Sequence, residues 1–242
     1  RRAGRNLVSA SGMLPANEAV LKTRFPLVHD RIAQAGNRAP ESCYYEDNGK
    51  GGRLFVRRGE HTFPVYGEKN PGKLIERWFS CLSLVPESLY AATGFGDGSH
   101  LRKFLSNTPP GTTLLAAEKD PAILRETLAR FDLSDLLSSE RLLLGVGELN
   151  DDFFRDIEGV ALTGVQIVDR VAFSPLYSLD ESYYDHLRNE LIRQYLVIRP
   201  LMEVNIRTAI NIQENTFENL RHLADAPDIG ELGGRFAEVP FI

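Results

Sequence analysis

Residues 93–100 read Thr-Gly-Phe-Gly-Asp-Gly-Ser-His, and this stretch decides the fold. An apolar run at residues 89–92 precedes it, and a helix-like pattern follows from Leu101. The alternating glycines permit a tight turn from a strand into a helix. Such a turn leaves backbone N–H groups bare at a helix N-terminus, where an anion or a nucleotide can bind. The stretch therefore predicts the first strand, turn and helix of a Rossmann-like sheet.

From residue 88 onward, strand-like and helix-like runs alternate. The strand-like runs are residues 88–93, 112–117, 141–146 and 165–169, and the helix-like runs between them are residues 99–106, 121–130 and 150–157. Alternation with short connections is typical of βαβ units and a parallel sheet. We therefore predict an α/β, Rossmann-like (methyltransferase-like) domain with a mostly parallel sheet at residues 73–178.

The flanking segments have a different character. Residues 1–72 combine a helical pattern, broken near Pro26, with short β-rich runs separated by glycines, which predicts a small N-terminal helical and β-hairpin appendage. Residues 179–229 carry helical periodicity and are predicted as a C-terminal helical extension, which Pro200 should break or kink. Residues 230–242 contain glycine and proline and are expected to be a linker into a further, missing catalytic domain.

Composition narrows the function classes. The chain is 43% hydrophobic and 25% charged with a net charge of −5, which argues against a dominant nucleic-acid or anionic-membrane partner. It contains neither an apolar run of the roughly 18 residues that a membrane span needs nor a signal-peptide pattern. Cys43 and Cys81 have no metal-binding spacing, and the histidines are scattered. We therefore expect reduced thiols, a cytoplasmic location and no metal site.

Acidic residues follow the second and third predicted strands. In Rossmann-like domains, an acidic residue at the end of the second strand accepts hydrogen bonds from ribose hydroxyls. Glu118 lies about twenty residues beyond the glycines, as that fingerprint expects, and Glu148 could face the same rim. The candidate cofactor-binding residues are Gly94, Gly96, Gly98, Glu118 and Glu148. The alternative is a turn that needs glycine for its dihedral angles and binds nothing.

The spacing G-x-G-x-G is nearer to an S-adenosylmethionine loop than to the NAD fingerprint G-x-G-x-x-G. A methyltransferase would place the glycines against the methionine part and Glu118 against the ribose. Residues 173–177, Phe-Ser-Pro-Leu-Tyr, lack the leading polar residue of an Asn/Asp-Pro-Pro-Tyr motif. His100 either contacts a ligand or packs against the strand ends, and Asp97 either caps the helix or lines a pocket. We assign no catalytic residue.

Several segments, in their order, resemble a known family. They are Leu14-Pro15-Ala16-Asn17, residues 90–98 (Tyr-Ala-Ala-Thr-Gly-Phe-Gly-Asp-Gly), Ala117-Glu118-Lys119-Asp120-Pro121, residues 131–137 (Phe-Asp-Leu-Ser-Asp-Leu-Leu), Leu142-Leu143-Leu144, Asn205-Ile206-Arg207-Thr208, Asn215 and Asn219-Leu220. Together they resemble the N-terminal domain of the motility accessory factor (Maf) family of bacterial flagellin glycosyltransferases. Members of that family are cytoplasmic enzymes implicated in transferring a nonulosonic acid from its CMP-activated form to flagellin hydroxyls.

The resemblance implies that the catalytic domain follows this region, so no catalytic residue is carried over onto it. It implies an accessory domain that needs no cofactor and supports acceptor recognition or the following catalytic domain. Its partners would be the flagellin acceptor and that C-terminal catalytic domain. Two alternatives remain: an S-adenosylmethionine-dependent methyltransferase, and an oligomerisation module built on the helices of residues 180–224.

Overall fold

In the computed structural model, residues 12–35, 43–46, 52–66, 70–158 and 165–224 are described. Their elements are, in chain order, α1 (Pro15–Arg24), α2 (Pro26–Ala35), β1 (Cys43–Glu46), β2 (Arg53–Arg58), β3 (His61–Pro64), α3 (Pro71–Ser80), β4 (Leu89–Thr93), α4 (Ser99–Asn107), β5 (Thr113–Glu118), α5 (Pro121–Arg130), α6 (Ser134–Leu137), β6 (Leu142–Val146), α7 (Asp151–Glu158), β7 (Val168–Val171), α8 (Ser174–Tyr177) and α9 (Glu181–Ala224). They form a four-stranded sheet, a three-stranded sheet and the helices that flank them.

The four-stranded sheet is parallel, with the strand order β6-β5-β4-β7. The chain starts at β4 in the middle, adds β5 and β6 on one side, and then returns to add β7 on the other. This reversal beside the first strand is the switch point of a Rossmann-type sheet. The α/β, Rossmann-like prediction is thus confirmed. The first three strands each begin one residue later than expected, and the fourth begins three residues later, at Val168 rather than at residue 165.

The central strands are buried on both faces, which explains their apolar sequence. Every residue of β4 is buried, as are five of the six in β5. Parallel strands covered by helices on both sides carry near-continuous apolar runs for this reason. At the start of α5, the side chain of Asp120 accepts a hydrogen bond from Ala122 N, and Pro121 follows as the first helical residue. That N-cap fixes the direction in which the chain leaves β5.

Asn17 ties α1 to the end of α5. Its side chain is fully buried, and its Nδ2 donates to the carbonyl oxygens of Leu128 at 2.8 Å and Phe131 at 2.7 Å. Its Oδ1 accepts from Leu133 N at 2.8 Å. One amide therefore bonds to three backbone groups at and just beyond the end of α5, and Leu128 O also accepts from Leu14 N at 3.0 Å. The segment Leu14-Pro15-Ala16-Asn17 has this structural role.

The three-stranded sheet is antiparallel, in the order β1-β2-β3, and packs against the α/β sheet's own helices. Tyr45 on β1 meets the ring of Phe131 edge-on, with centroids 5.4 Å apart. Val65 and Tyr66, which follow β3, share one apolar cluster with Ile123 of α5. This packing places the side chain of Tyr66 beside the turn after β4.

The chain divides into two compact units, residues 1–196 and residues 197–242. The described part of the second unit is the portion of α9 from residue 197 to 224. Pro200 lies inside this helix, so the expected break is wrong, while the alternative expectation of a kink stays a prediction. Proline removes a single N–H donor, and the hydrogen bonds of neighbouring turns remain. The predicted domain limits at residues 72, 178 and 229 stay predictions, and the linker at residues 230–242 lies outside the described residues.

Within the described ranges, none of the helices combines the length and the apolarity that crossing a bilayer demands.

We expect Asn17→Ala to lower the free energy of unfolding by about 3 kcal/mol, because it leaves buried backbone groups without partners. Asn107→Ala is the matched control, since its exposed amide donates to Lys103 O within its own helix. That control should change stability by no more than about 0.5 kcal/mol. Urea unfolding measures both variants. Equal losses would contradict the role given to Asn17.

Candidate functional site

The structure brings four of the five predicted site residues together at the switch point. Gly94, Gly96 and Gly98 form the turn after β4, with φ angles of +80°, +53° and +79°. Glu118 ends the neighbouring strand β5 and is buried. Glu148 lies beyond β6 and is exposed. Whether these residues bind a cofactor stays a prediction, but their placement at the carboxyl edge of the sheet is the one that the sequence indicated.

Glu118 turns its carboxylate toward the glycine turn. Its Oε2 accepts from Phe95 N and its Oε1 accepts from Asp120 N, both at 3.1 Å. A buried carboxylate needs such donors because it has lost its hydration. In this conformation, Glu118 clamps the turn after β4 to the start of α5.

The backbone N–H groups of the turn also have partners within the chain. Gly94 N donates to Ala117 O at 2.9 Å, and Gly98 N donates to Phe95 O at 3.0 Å. Asp97 N donates to the hydroxyl of Tyr66 at 2.9 Å, and the side chain of Asp97 accepts from Ser99 N at 2.9 Å. The expectation that this helix start would present bare N–H groups is therefore wrong for these positions. Asp97 caps the first turn of α4, one of its two expected roles.

The turn's carbonyl oxygens are satisfied by buried side chains. His100 Nε2 lies 3.2 Å from Gly94 O, and Thr127 Oγ1 donates to Gly96 O at 2.7 Å. Tyr45 Oη lies 2.9 Å from Thr127 Oγ1. Since the threonine proton is used on Gly96 O, the tyrosine is the donor in that contact. The second sheet thus reaches the turn through a two-step hydrogen-bond chain.

Tyr66 and Leu176 fill the space in front of the glycines. A Cβ atom added to Gly96 would lie 2.3 Å from Tyr66 Oη and 3.0 Å from Leu176 Cδ1. A Cβ added to Gly94 would lie 3.0 Å from Leu176 Cβ. In a Rossmann-type nucleotide site, the ligand's phosphates approach the glycine backbone at this place. Here the phenol oxygen accepts the Asp97 N–H at the position where an anion would do so.

Tyr66, one of the two covering residues, belongs to an aromatic cluster, and its ring centroid lies 5.6 Å from that of Phe173. His100 stacks on Phe173 with ring centroids 4.7 Å apart, and Trp78 lies edge-on to both rings, 5.8 Å from His100 and 5.5 Å from Phe173. Phe173 N donates to Thr93 Oγ1 at 2.9 Å, which positions the start of α8. Of the two roles expected for His100, the structure favours packing.

Burial sets the protonation states in this cluster. It lowers the pKa of His100 to about 3, so the ring is neutral, with Nε2–H directed at Gly94 O. Tyr66 Oη lies 3.3 Å from His100 Nδ1 and can donate to it. Burial, together with the charge of Asp97, raises the pKa of Tyr66 well above its usual value. Neither group titrates near neutral pH, so the pair supplies no general acid or base there.

At the outer rim, Tyr183 lies between the two acidic candidates. Its hydroxyl donates to Gly147 O at 2.7 Å. Burial raises its pKa, and the charges of Glu118 and Glu148 raise it further. Beside it, the ammonium group of Lys119 pairs with Asp180. The rim residues are therefore engaged with one another.

Nothing in the sequence marks Tyr66, Thr127 or Leu176 as site residues. Tyr66 lies in a segment interpreted as an appendage, and Leu176 lies in residues 173–177, considered only for a methyltransferase motif. No spacing rule links either residue to the glycines. Only the packing of the second sheet and α8 reveals the contact.

A separate cavity of about 440 Å³ lies away from the glycine turn. It is lined by Leu149, Asn150, Asp151, Phe154, His186, Glu190, Arg193 and Gln194. None of the predicted site residues lines it. Among the residues that the structure describes, His, Cys, Asp and Glu side chains form no group that could hold a metal ion.

No protein-family model and no curated protein matches the chain. The chain is similar to the solved structure of a MAf glycosyltransferase from Magnetospirillum magneticum AMB-1, with 16% sequence identity and a TM-score of 0.39. The similarity covers 70% of this chain and 33% of that one, so the chain spans about a third of that protein's length. At this identity and score, the likeness carries no argument about activity.

We expect Gly96→Ala to destabilise the fold by about 3 kcal/mol, because its Cβ meets Tyr66 Oη in addition to the unfavourable left-handed backbone. Gly59→Ala is the matched control: its φ of +59° is similar, and nothing lies within 4 Å of the added Cβ. The control should cost about 1 kcal/mol. In a double-mutant cycle, Gly96→Ala with Tyr66→Phe should cost less than the sum of the single changes. Strict additivity would refute the contact.

His100 should make stability depend on pH. Its pKa is about 3 in the folded chain and 6.5 for an exposed imidazole, so the unfolded chain binds the proton first as pH falls. Stability is therefore lost as pH falls from 6.5 toward 3, by up to about 1.4 kcal/mol per pH unit. Urea unfolding at pH values of about 7.5 and about 5 should show a smaller drop for His100→Gln than for the unaltered chain. An equal drop would mean that His100 does not carry the effect.

Proposed function

We propose that the chain is a non-catalytic, Rossmann-like accessory module of a flagellin nonulosonic-acid glycosyltransferase-like protein. In this role it supports acceptor recognition or the catalytic domain that follows it. Its partners are the flagellin acceptor and that catalytic domain, and it requires no cofactor of its own.

The observation that carries the proposal is the filled glycine turn. A Rossmann-type site binds its cofactor through open N–H groups and the space above the glycines. Here the N–H groups of Phe95 and Asp97 are bonded to Glu118 and Tyr66, and Leu176 packs over Gly94 and Gly96. A turn stabilised in this way suits a domain that keeps the fold as a scaffold.

Three of the segments that resemble the family lie at or next to this turn. Asn17 holds the end of α5, and Glu118 bonds to the turn itself. Leu133 and Leu136, from residues 131–137, lie 3.3 Å and 3.2 Å from a Cβ placed on Gly98. The resemblance therefore concerns residues that build one structural unit, which supports a shared architecture rather than a shared active site.

The test compares the full-length parent protein with a form that lacks residues 1–242. If the module supports transfer, its removal should reduce the modification of flagellin at least tenfold, measured as the mass shift of intact flagellin. A binding assay of flagellin on the immobilised 242-residue chain then separates the two roles. Retention of flagellin supports acceptor recognition, and no retention supports the role of assisting the catalytic domain. Undiminished transfer without the module would overturn the proposal.

One observation favours the rival methyltransferase: a buried carboxylate, Glu118, faces the glycine turn from the second strand. Calorimetry with S-adenosylhomocysteine distinguishes the two functions. We expect no binding heat, because Tyr66 and Leu176 fill the space. Micromolar binding that is lost in Glu118→Gln would establish the methyltransferase and refute the accessory role. Glu118→Gln keeps one acceptor oxygen for the backbone and so preserves part of the clamp.

A further inference from the structure

The second unit exposes an unusual amount of apolar surface on a single helix. From residue 197 onward, the exposed large apolar side chains of α9 are Val197, Leu201, Val204, Ile206, Ile210, Ile212, Phe217 and Leu220, each with between 49% and 70% of its surface accessible. Where such side chains share one face, large contiguous apolar patches mark interaction sites.

Part of this surface follows a coiled-coil spacing. Ile206, Ile210, Gln213, Phe217 and Leu220 succeed one another at intervals of four, three, four and three residues. A mean interval of 3.5 residues keeps side chains in one stripe that faces a partner helix. We call these five residues the apolar seam. The other four exposed apolar residues point away from the seam on an ideal helix and do not belong to it: Val197, Leu201, Val204 and Ile212.

The charges beside the seam favour a second copy of this chain as its occupant. Arg207 and Glu214 each follow a seam residue directly, so they lie on the same flank, seven residues apart. An antiparallel second copy would place Arg207 opposite its Glu214 and Glu214 opposite its Arg207. The same alignment sets Ile206 against Phe217 of the second copy. A surface that complements itself in this way is the requirement for a two-fold interface.

Other alignments are less favourable. A parallel pair would set Arg207 and Glu214 against uncharged flank positions such as Ala209 and Thr216, so it gains nothing from the charges. An antiparallel pair shifted by one heptad would bring the two Glu214 side chains together, which is repulsive. Gln213 faces Ile210 in the favoured alignment, and a polar residue in a seam lowers affinity while fixing the register.

We propose that the apolar seam of α9 is an antiparallel homodimer interface, with Arg207 and Glu214 pairing between the two copies. The pairing is reversible, because the seam covers fewer than three heptads and contains Gln213. This proposal does not rest on the accessory function, and its failure would leave that function untouched.

Sedimentation velocity of the 242-residue chain over a concentration series tests the association. We expect a monomer–dimer equilibrium that Ile210→Glu shifts to monomer by at least tenfold in dissociation constant, since it places a charge in the seam. Asn215→Glu is the matched control on the opposite face and should leave the equilibrium unchanged. Circular dichroism confirms that both variants keep their helix. A monomer at sub-millimolar concentration, or equal effects of both variants, would overturn the proposal.

Charge reversal tests the occupant and the alignment together. Arg207→Glu should weaken the dimer about tenfold, because it turns two attractive pairs into two repulsive ones. The double change Arg207→Glu with Glu214→Arg should restore the original dissociation constant, since both pairs become attractive again. If the double change does not restore the dissociation constant, the two copies associate in another alignment and the proposed pairing is wrong.

Discussion

The backbone of the turn after β4 must form its hydrogen bonds where solvent does not reach, and the arrangement around it follows from this constraint. The turn lies at the carboxyl end of the central strand β4, with Gly94, Phe95 and Gly96 buried. An unsatisfied buried N–H or C=O group costs about 1–3 kcal/mol. Glu118, Tyr66 and Thr127 supply the partners from three different elements. The turn therefore holds β5, α5 and the second sheet in one arrangement.

This arrangement also explains why the second sheet is integrated with the α/β sheet. Tyr45 lies on β1 and Tyr66 lies just after β3, yet both side chains bond toward the same turn. Tyr45 does so through Thr127, and Tyr66 by direct contact with Asp97 N. Burial raises the pKa of both phenols, so they remain protonated and able to donate. A segment that reads as an appendage in the sequence thus completes the interior of the domain.

The sequence predicts well what depends on local periodicity. The strand–helix alternation and the position of Glu118 follow from patterns within a single βαβ unit. The partners of the turn could not be predicted, because Tyr66 and Leu176 approach it from segments far away in sequence. Helix α9 shows the converse: Pro200 suggests a local break, but one missing N–H is insufficient to end a helix of 44 residues.

Trp78 gives the aromatic cluster an optical property. It is the chain's single tryptophan, its indole N–H donates to Ala172 O at 2.9 Å, and its ring touches both His100 and Phe173. Indole emission depends on the polarity and mobility of the surroundings. Tryptophan fluorescence of this chain therefore arises from Trp78, beside the glycine turn. Its emission wavelength and lifetime report on that interior without an added dye.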